Sequence, residues 1–228
     1  RTRSGAAPPP GVAPPAARAE PPESGEARVA CSNSSTYEGQ YQNYLRHGRG
    51  VLTLADDTYY EGQWIEDARQ GNGKELWPDG TRFSGCYVQG KRHGPGEMSW
   101  PDGSKYVGEF ARDRANGQGM LARTDGTVYR GSIAEDCMCG EGYMEWQNNS
   151  CSYRGQFFAN KRDGQGTMLW ASGPWRSYEG QWKGGLYHGK GALVDHSGGS
   201  RLVGQFVAGQ LQAAEPGEPA AAAAEEPA

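Results

Sequence analysis

No stretch of this 228-residue sequence approaches the ~18 consecutive apolar residues of a membrane-spanning helix. Large aliphatic side chains are scarce. The hydrophobic fraction is 36%, and many of the residues counted are small alanines from the two ends. A thick packed core is hard to build from that mixture, whereas a sheet burying one face needs fewer large side chains. A basic surplus is also missing. The formal net charge is −4, and residues 31–211 hold 19 Lys and Arg against 20 Asp and Glu. That balance argues against a nucleic-acid binder. Five cysteines, Cys31, Cys86, Cys137, Cys139 and Cys151, follow no regular spacing. Only Cys137-x-Cys139 is close, and it suits neither a zinc knuckle nor a redox CxxC pair. Free, reduced thiols and no bound metal are expected.

The two ends also lack the means to build a core. Residues 1–30 are rich in Pro and Ala, with Val as the only larger apolar type. They cannot offset their ordering entropy by burial, and are expected to form a disordered arm. Residues 212–228 form an Ala/Glu/Pro-rich tail, expected to be disordered as well. Its alanines Ala220–Ala224, set between Pro219 and Pro227, are too few for a stable isolated helix.

What the chain does have is glycine, 36 residues, roughly double the usual share, and a recurring aromatic-x-Gly-x-aromatic pattern. It begins at Tyr37, Tyr60, Phe83, Tyr106, Tyr129, Tyr153, Tyr178 and Leu202, in steps of 23, 23, 23, 23, 24, 25 and 24 residues. Self-similarity at such a period marks a stacked array whose units cannot bury their apolar faces alone. Count each repeat from its first aromatic as position zero. Positions zero, two and four are aromatic, Gly, aromatic, while one and three are mostly polar, as in Glu38/Gln40 and Glu179/Gln181. Alternation with period two predicts a strand with one wet face.

A Gly-x-Gly pair follows at positions eleven and thirteen in all seven complete repeats, from Gly48/Gly50 to Gly189/Gly191. A second strand is expected beyond it, with Leu52, Met98, Leu121, Met144, Met168 or Leu193 at position fifteen; Glu75 is the exception. Position seventeen is often Trp, and a turn such as Pro78-Asp79-Gly80 then closes the repeat. The fold class expected is all-β: an elongated, single-layer antiparallel array of β-hairpins over 37–211. The eighth repeat is expected to be partial, without its second strand. Glycines at two and thirteen leave room for rings from neighbouring strands to lie across the backbone.

These residues resemble the MORN (membrane occupation and recognition nexus) repeat, whose pattern runs approximately YEGEWxxGxxHGxGxLxxxDG. The best copies are Tyr37-Glu38-Gly39-Gln40-Tyr41 with His47-Gly48-Arg49-Gly50, and Tyr178-Glu179-Gly180-Gln181-Trp182 with His188-Gly189-Lys190-Gly191. The fifth repeat departs from it, with Ile133 for the second aromatic and Asn148-Asn149 for Asp-Gly. Weaker packing is expected near 133–150, and irregularity near 170–177, where the sixth repeat carries two extra residues. The resemblance implies a scaffold used for assembly or for attachment to membranes and the cytoskeleton, including ciliary axonemes. It places the chain in the cytoplasm, at a cytoskeletal or ciliary structure, or at the inner face of a membrane.

Function is weighed on three features. The Gly-x-Gly pairs are not phosphate cradles, because no Walker lysine or helix start follows and they repeat at one phase. His47, His93 and His188 share one repeat position, which favours a structural role over a catalytic or metal-binding one. No cofactor and no enzymatic activity are therefore expected. The aromatic face is the candidate partner surface: Tyr60, Trp64, Trp77, Tyr87, Trp100, Tyr106, Phe110, Tyr129, Trp146, Tyr153, Phe157, Trp170, Tyr178 and Trp182. An uncovered apolar face of this kind marks protein contact, with a helix or extended peptide as occupant. The alternative is a peripheral module for anionic phospholipid, using the basic residues at positions eight and nine: Arg46, Arg69, Lys91, Arg92, Arg114, Lys161 and Arg162. Neighbouring acids such as Glu66, Asp67, Asp113 and Asp163 offset them. A regulatory portion of a larger enzyme is the third reading. An end-to-end homodimer through a terminal hairpin is a further expectation.

Overall fold

The computed structural model describes residues 20–31, 33–146 and 150–214. Most of the two expected arms, 1–19 and 215–228, lies outside the described residues. So do Asn148 and Asn149.

Among the described residues there are seventeen strands and no helix. They are β1 (Ser24–Ala30), β2 (Thr36–Gln42), β3 (Leu45–Thr53), β4 (Tyr59–Ile65), β5 (Ala68–Leu76), β6 (Arg82–Val88), β7 (Lys91–Ser99), β8 (Lys105–Ala111) and β9 (Arg114–Ala122). They continue with β10 (Val128–Ala134), β11 (Cys137–Trp146), β12 (Cys151–Phe158), β13 (Lys161–Trp170), β14 (Trp175–Lys183), β15 (Leu186–Asp195), β16 (Arg201–Val207) and β17 (Gln210–Ala214). Each repeat supplies two consecutive strands.

The strands group into two compact units. The first runs to Pro78 and includes Tyr87–Gly90, while the second holds Asp79–Cys86 and everything from Lys91 onward. Within each unit the strands form a single antiparallel layer in chain order.

Register explains why the repeat tolerates so little change of step. In the first unit Tyr37 lies opposite Leu52 and Gly39 opposite Gly50. On its other edge β3 sets Leu52 opposite Tyr60 and Gly50 opposite Gly62. The second unit repeats this arrangement: Met144 faces Tyr129 and Tyr153, and Gly142 faces Gly131 and Gly155. Position fifteen thus sits between two first aromatics on one face, and the glycines of successive strands form a row beside them. A one-residue slip would turn every ring to the other face.

Two local devices make the hairpins. The two central turn residues both take positive φ, as in Asn43-Tyr44 (51° and 62°), Glu66-Asp67 (47° and 66°) and Arg112-Asp113 (52° and 75°). That is the two-residue type I′ turn, whose twist matches the strands it joins. The return connections use an aspartate at position nineteen. The backbone N–H of Thr58, Thr81, Ser104 and Thr127 donates to Asp56, Asp79, Asp102 and Asp125 respectively, at 2.8–2.9 Å. These side chains replace a backbone acceptor and close the turn.

Three expectations are corrected. Residues 24–30, assigned to a disordered arm, are β1 and pair with β2: Ala27 lies opposite Gly39 and Val29 opposite Tyr37. They are the second strand of a half-repeat one period upstream, with Gly25, Ala27 and Val29 standing 23 residues before Gly48, Gly50 and Leu52. Asn33 even takes the aspartate's place, accepting the Ser35 N–H at 3.2 Å. At the other end the eighth repeat does have a second strand, because Leu211 of β17 packs opposite Phe206 of β16. Finally, the expected weak packing around Ile133 is filled. Met138 lies opposite it, and Ile133, Met138 and Met144 are all buried. The irregularity near 170–177 is present as a register shift between Trp175 and Ser177.

Gly166→Ala tests the close approach of ring to backbone. A Cβ there would clash with the hydroxyl and edge of the Tyr153 ring, and the expected loss in a urea titration is about 1–3 kcal/mol. Gly199→Ala, whose Cβ would meet only the Ser197 hydroxyl at 3.3 Å, should stay within about 0.5 kcal/mol of the parent.

Candidate partner-binding face

The ring face is built by the first aromatic of each repeat. In the seven complete repeats its ring lies across the glycine at position thirteen, and in the six where it is tyrosine its hydroxyl donates to the backbone carbonyl at position three. Tyr37 reaches Gln40 O at 3.1 Å, Tyr106 reaches Glu109 O at 2.9 Å and Tyr178 reaches Gln181 O at 2.9 Å. In Tyr37, Tyr106 and Tyr153 that carbonyl sits at a register shift, where the strand partner skips a residue. The phenol thus satisfies an acceptor that the ladder leaves open. The glutamine at position three works on the opposite strand: Gln40 Oε1 accepts the Arg49 N–H at 3.0 Å, and Gln156 Oε1 accepts the Gln165 N–H at 2.9 Å.

The rings then pack edge to face. In the first unit Tyr37 meets Tyr41 and Trp64, and Tyr60 meets Trp64 and Tyr87, with centroids 5.1–5.3 Å apart. In the second unit Tyr129, Phe157, Tyr153, Trp182, Tyr178 and Phe206 form a chain of such contacts at 5.1–5.3 Å. Each pair contributes about 0.5–1.5 kcal/mol beyond area burial. The tryptophans also close backbone acceptors, Trp64 Nε1 donating to Gly50 O and Trp182 Nε1 to Gly166 O at 3.1 and 3.0 Å.

This packing changes what the predicted residues are. Tyr60, Trp64, Tyr87, Tyr106, Phe110, Tyr129, Tyr153, Phe157, Tyr178 and Trp182 are at most 5% exposed. They form the interior of their units and not a surface. The position-seventeen residues differ: Trp77, Trp146 and Trp170 are half-buried, and Trp100 is 38% exposed. Trp146 and Trp170 lie on the ring face, beside Arg162 and Tyr187 respectively. Each unit carries an open groove on this face. That of the first unit is lined by Arg46, Leu52, Leu54, Tyr60, Arg69 and Glu75. That of the second is lined by Trp170, Pro174, Trp175, Tyr187, Leu193 and Leu211.

The basic residues divide by position. Position eight is exposed: Lys91, Arg114 and Lys161, with Arg114 paired to Glu135 at 2.7 Å. Position nine turns onto the rings. Arg46 lies 4.4 Å over Trp64, Arg69 about equally over Tyr60 and Tyr87 at 5.3 and 5.2 Å, Arg92 5.6 Å over Phe83 and Arg162 4.3 Å over Trp182. Adjacent strand residues point to opposite faces, so the single basic row expected from the sequence is really two.

Three of these arginines also hold a carboxylate. Arg46 Nε pairs with Asp67 at 2.8 Å and Arg92 Nε with Asp113 at 3.4 Å, both aspartates lying in the next repeat's turn. Arg69 takes the buried Glu75 at 2.5 Å, whose other oxygen accepts the Tyr87 hydroxyl at 2.8 Å. The exceptional glutamate at position fifteen is thereby explained. All five cysteines are free. Among the described residues no His, Cys, Asp and Glu cluster could hold a metal ion.

The fold and this face define a β-hairpin repeat protein whose glycine rows are roofed by aromatic rings. Six segments, 37–59, 60–82, 83–105, 106–128, 153–174 and 178–200, match the family model for the MORN repeat. The matches take in more than half of the sequence, and the chain belongs to the MORN-repeat family. The fifth repeat, which the family model passes over, forms its hairpin (β10 and β11) in the same register as the others.

A search of curated proteins finds no significant match. Solved structures similar to this chain include the SAS-4 (dCPAP) TCP domain of Drosophila melanogaster, in complex with a proline-rich motif of Ana2 (dSTIL). It is 11% identical, with 86% of this chain and 98% of that one covered and a TM-score of 0.42. The TCP10 domain of Danio rerio CPAP is 13% identical, with 75% and 84% covered and a TM-score of 0.38. At such scores no partner is carried over from either.

Burial of the phenols makes the array sensitive to alkali. Burial first of all pushes Tyr60, Tyr106, Tyr129, Tyr153 and Tyr178 up from 10.0 to about 12, and Tyr37 and Tyr87 higher still. A raised folded-state pKa favours the protonated phenol, so this stability is complete below pH 10 and lost as pH rises towards 12. In an alkaline titration, tyrosinate absorbance from the buried rings is expected to appear together with loss of β-sheet circular dichroism. Ionisation of all tyrosines near pH 10 with the sheet intact would contradict it.

Proposed function

We propose that this chain is a non-enzymatic scaffold that binds a protein partner, a helix or extended segment, on the ring face. The observation that carries the reading is the division of the aromatics. Those at positions zero and four are consumed by internal packing. Trp100 is exposed, Trp146 and Trp170 stay partly open to solvent, and Trp170 lines the groove beside Tyr187. Partly exposed tryptophans next to a groove are the residue type that dominates binding energy at protein interfaces. As the setting we propose a cytoskeletal or ciliary assembly in the cytoplasm, on family membership alone.

The phospholipid reading has less to work with. Arg46, Arg69 and Arg92 already hold carboxylates and lie against rings, and Arg162 is half-buried over Trp182, so the headgroup row is reduced to the exposed Lys91, Arg114 and Lys161 at the hairpin loops, of which Arg114 is paired to Glu135. Isolated cations opposed by nearby acids attract an anionic surface weakly.

The test compares co-purifying proteins from cells expressing the wild-type chain or the Trp146→Ala/Trp170→Ala double variant. Circular dichroism checks that the sheet is retained. At least one protein is expected to be lost from the variant. The same set retained by a folded variant would remove the ring face as the docking surface.

A further inference from the structure

Four repeats carry arginine at position nine, and one of the four breaks the pattern that the other three share. Arg46, Arg69 and Arg92 each lie over rings and each hold a carboxylate from Asp67, Glu75 or Asp113. Arg162 occupies the same position, lying over Trp182 at 4.3 Å, Trp146 at 5.7 Å and Tyr153 at 5.8 Å. Its Nη2 donates to Gly185 O at 2.9 Å, the same bond that Arg46 makes to Asp67 O and Arg92 to Asp113 O. The side chain that would complete the pair is missing, because the turn residue here is Gly185. The alternative acceptor carries no charge either: Met168 stands where Glu75 stands for Arg69, its sulfur accepting from Arg162 Nη1 at 3.5 Å.

No carboxylate of a described residue lies within ion-pair distance of Arg162. Burial disfavours the cation and lowers its pKa, and the groups that act against this are the Tyr187 and Tyr153 phenols and the Cys151 thiol. A half-buried guanidinium with no counter-charge is costly unless an anion arrives. Beside it lies the groove of the second unit. Tyr187 joins the two, since it lines the groove and packs against Trp182 at 4.9 Å. Trp170 and Trp175 extend the apolar lining beyond it.

We propose that Arg162 anchors a carboxylate of the bound protein: an Asp or Glu side chain flanked by large apolar residues that occupy the groove of Trp170, Trp175 and Tyr187. The proposal rests on the protein-partner reading above and names the chemistry its partner must carry. Charge complementarity selects the occupant. A single recessed guanidinium ringed by aromatic side chains fits one acidic residue within an apolar segment. An anionic membrane would instead meet a chain of net charge −4, whose other ring-face arginines are already neutralised.

The experiment selects short random peptides, displayed as a library, on the full wild-type chain and then measures the enriched peptides individually. Two variants accompany it. Arg162→Met places there the residue that already fills this position in the fifth repeat, Met138, which is buried. Gly185→Asp restores the missing turn carboxylate. A Cβ at Gly185 meets nothing within 4 Å, and its φ of 92° is positive like those of Asp67 and Asp113, at 66° and 75°.

Enriched peptides are expected to carry Asp or Glu beside Trp, Phe or Leu. Changing that acid to its amide should weaken wild-type binding at least about tenfold, as for a lost charge-assisted hydrogen bond. The same change should cost little in either variant. If peptides bind but the amide costs the same in all three proteins, the anchor is refuted while the docking face survives. If no peptide is enriched, the protein-partner reading fails and the anchor with it. If phosphatidylserine vesicles bind the wild type and not Gly185→Asp, the anion belongs to lipid and the proposal is overturned.

Discussion

A tyrosine ring lying across the backbone of a glycine is the contact on which the rest of this structure depends. It forbids a side chain at position thirteen, because a Cβ at Gly50 or Gly166 would occupy the space of the Tyr37 or Tyr153 ring, while at position two the backbone of the facing strand does the same, as at Gly39 and Gly155. It brings the phenol to the one carbonyl that the strand bulge frees from the ladder. It leaves the ring's edge to meet the second aromatic of its own repeat and that of the next. Local geometry and contact between repeats are thus set by one residue pair, which is why the repeat keeps its internal spacing even where the connections lengthen. Single-layer sheets have no second sheet to bury their apolar side, and here the rings supply that cover.

The same contact sorts aromatics into two kinds. Rings at positions zero and four are spent on stability. Tryptophans at position seventeen fall at the strand ends, where no glycine lies opposite, and stay partly open. The arginines at position nine lie between the two kinds. They cover the rings, extend cation–π contact across repeats, and tie two of the hairpins to the following turn through Asp67 and Asp113. The turn aspartate is absent at Gly90 and at Gly185; Glu75 supplies the charge for Arg69 at the first, and at the second the arginine remains but its counter-charge does not. A structural device of the repeat thereby becomes a binding chemistry at one place.

Much of this was legible in the sequence because it is periodic. Steps of 23–25 residues, alternation over five residues and invariant glycines suffice for strands, hairpins and the shared face of positions zero, four and fifteen. The parts that were not legible have physical reasons. β1 carries the glycine and the apolar residue of the motif but no aromatic, so composition outweighed its 23-residue phase with Gly48 and Leu52. β17 uses Leu211 and two alanines where other repeats use a longer glycine-bearing strand. Alternation tells which side chains share a face but not whether the neighbours cover it, so an open aromatic surface was expected where a closed one exists. Positions eight and nine looked like one basic row because adjacency in sequence hides the pleat. The groove near Trp175 and the unmatched Arg162 needed coordinates, although the Gly184-Gly185 turn, alone among the repeats in pairing two glycines, was a visible sign.

Proton chemical shifts of the glycines measure the central contact most directly. If the rings lie over the backbone, the Hα resonances of the position-thirteen glycines, Gly50, Gly73, Gly96, Gly119, Gly142, Gly166 and Gly191, are displaced upfield by ring currents. Those of Gly173 and Gly198, which a Cβ could occupy without meeting anything within 4 Å, are not. Random-coil values at the position-thirteen glycines of the folded protein would contradict the account.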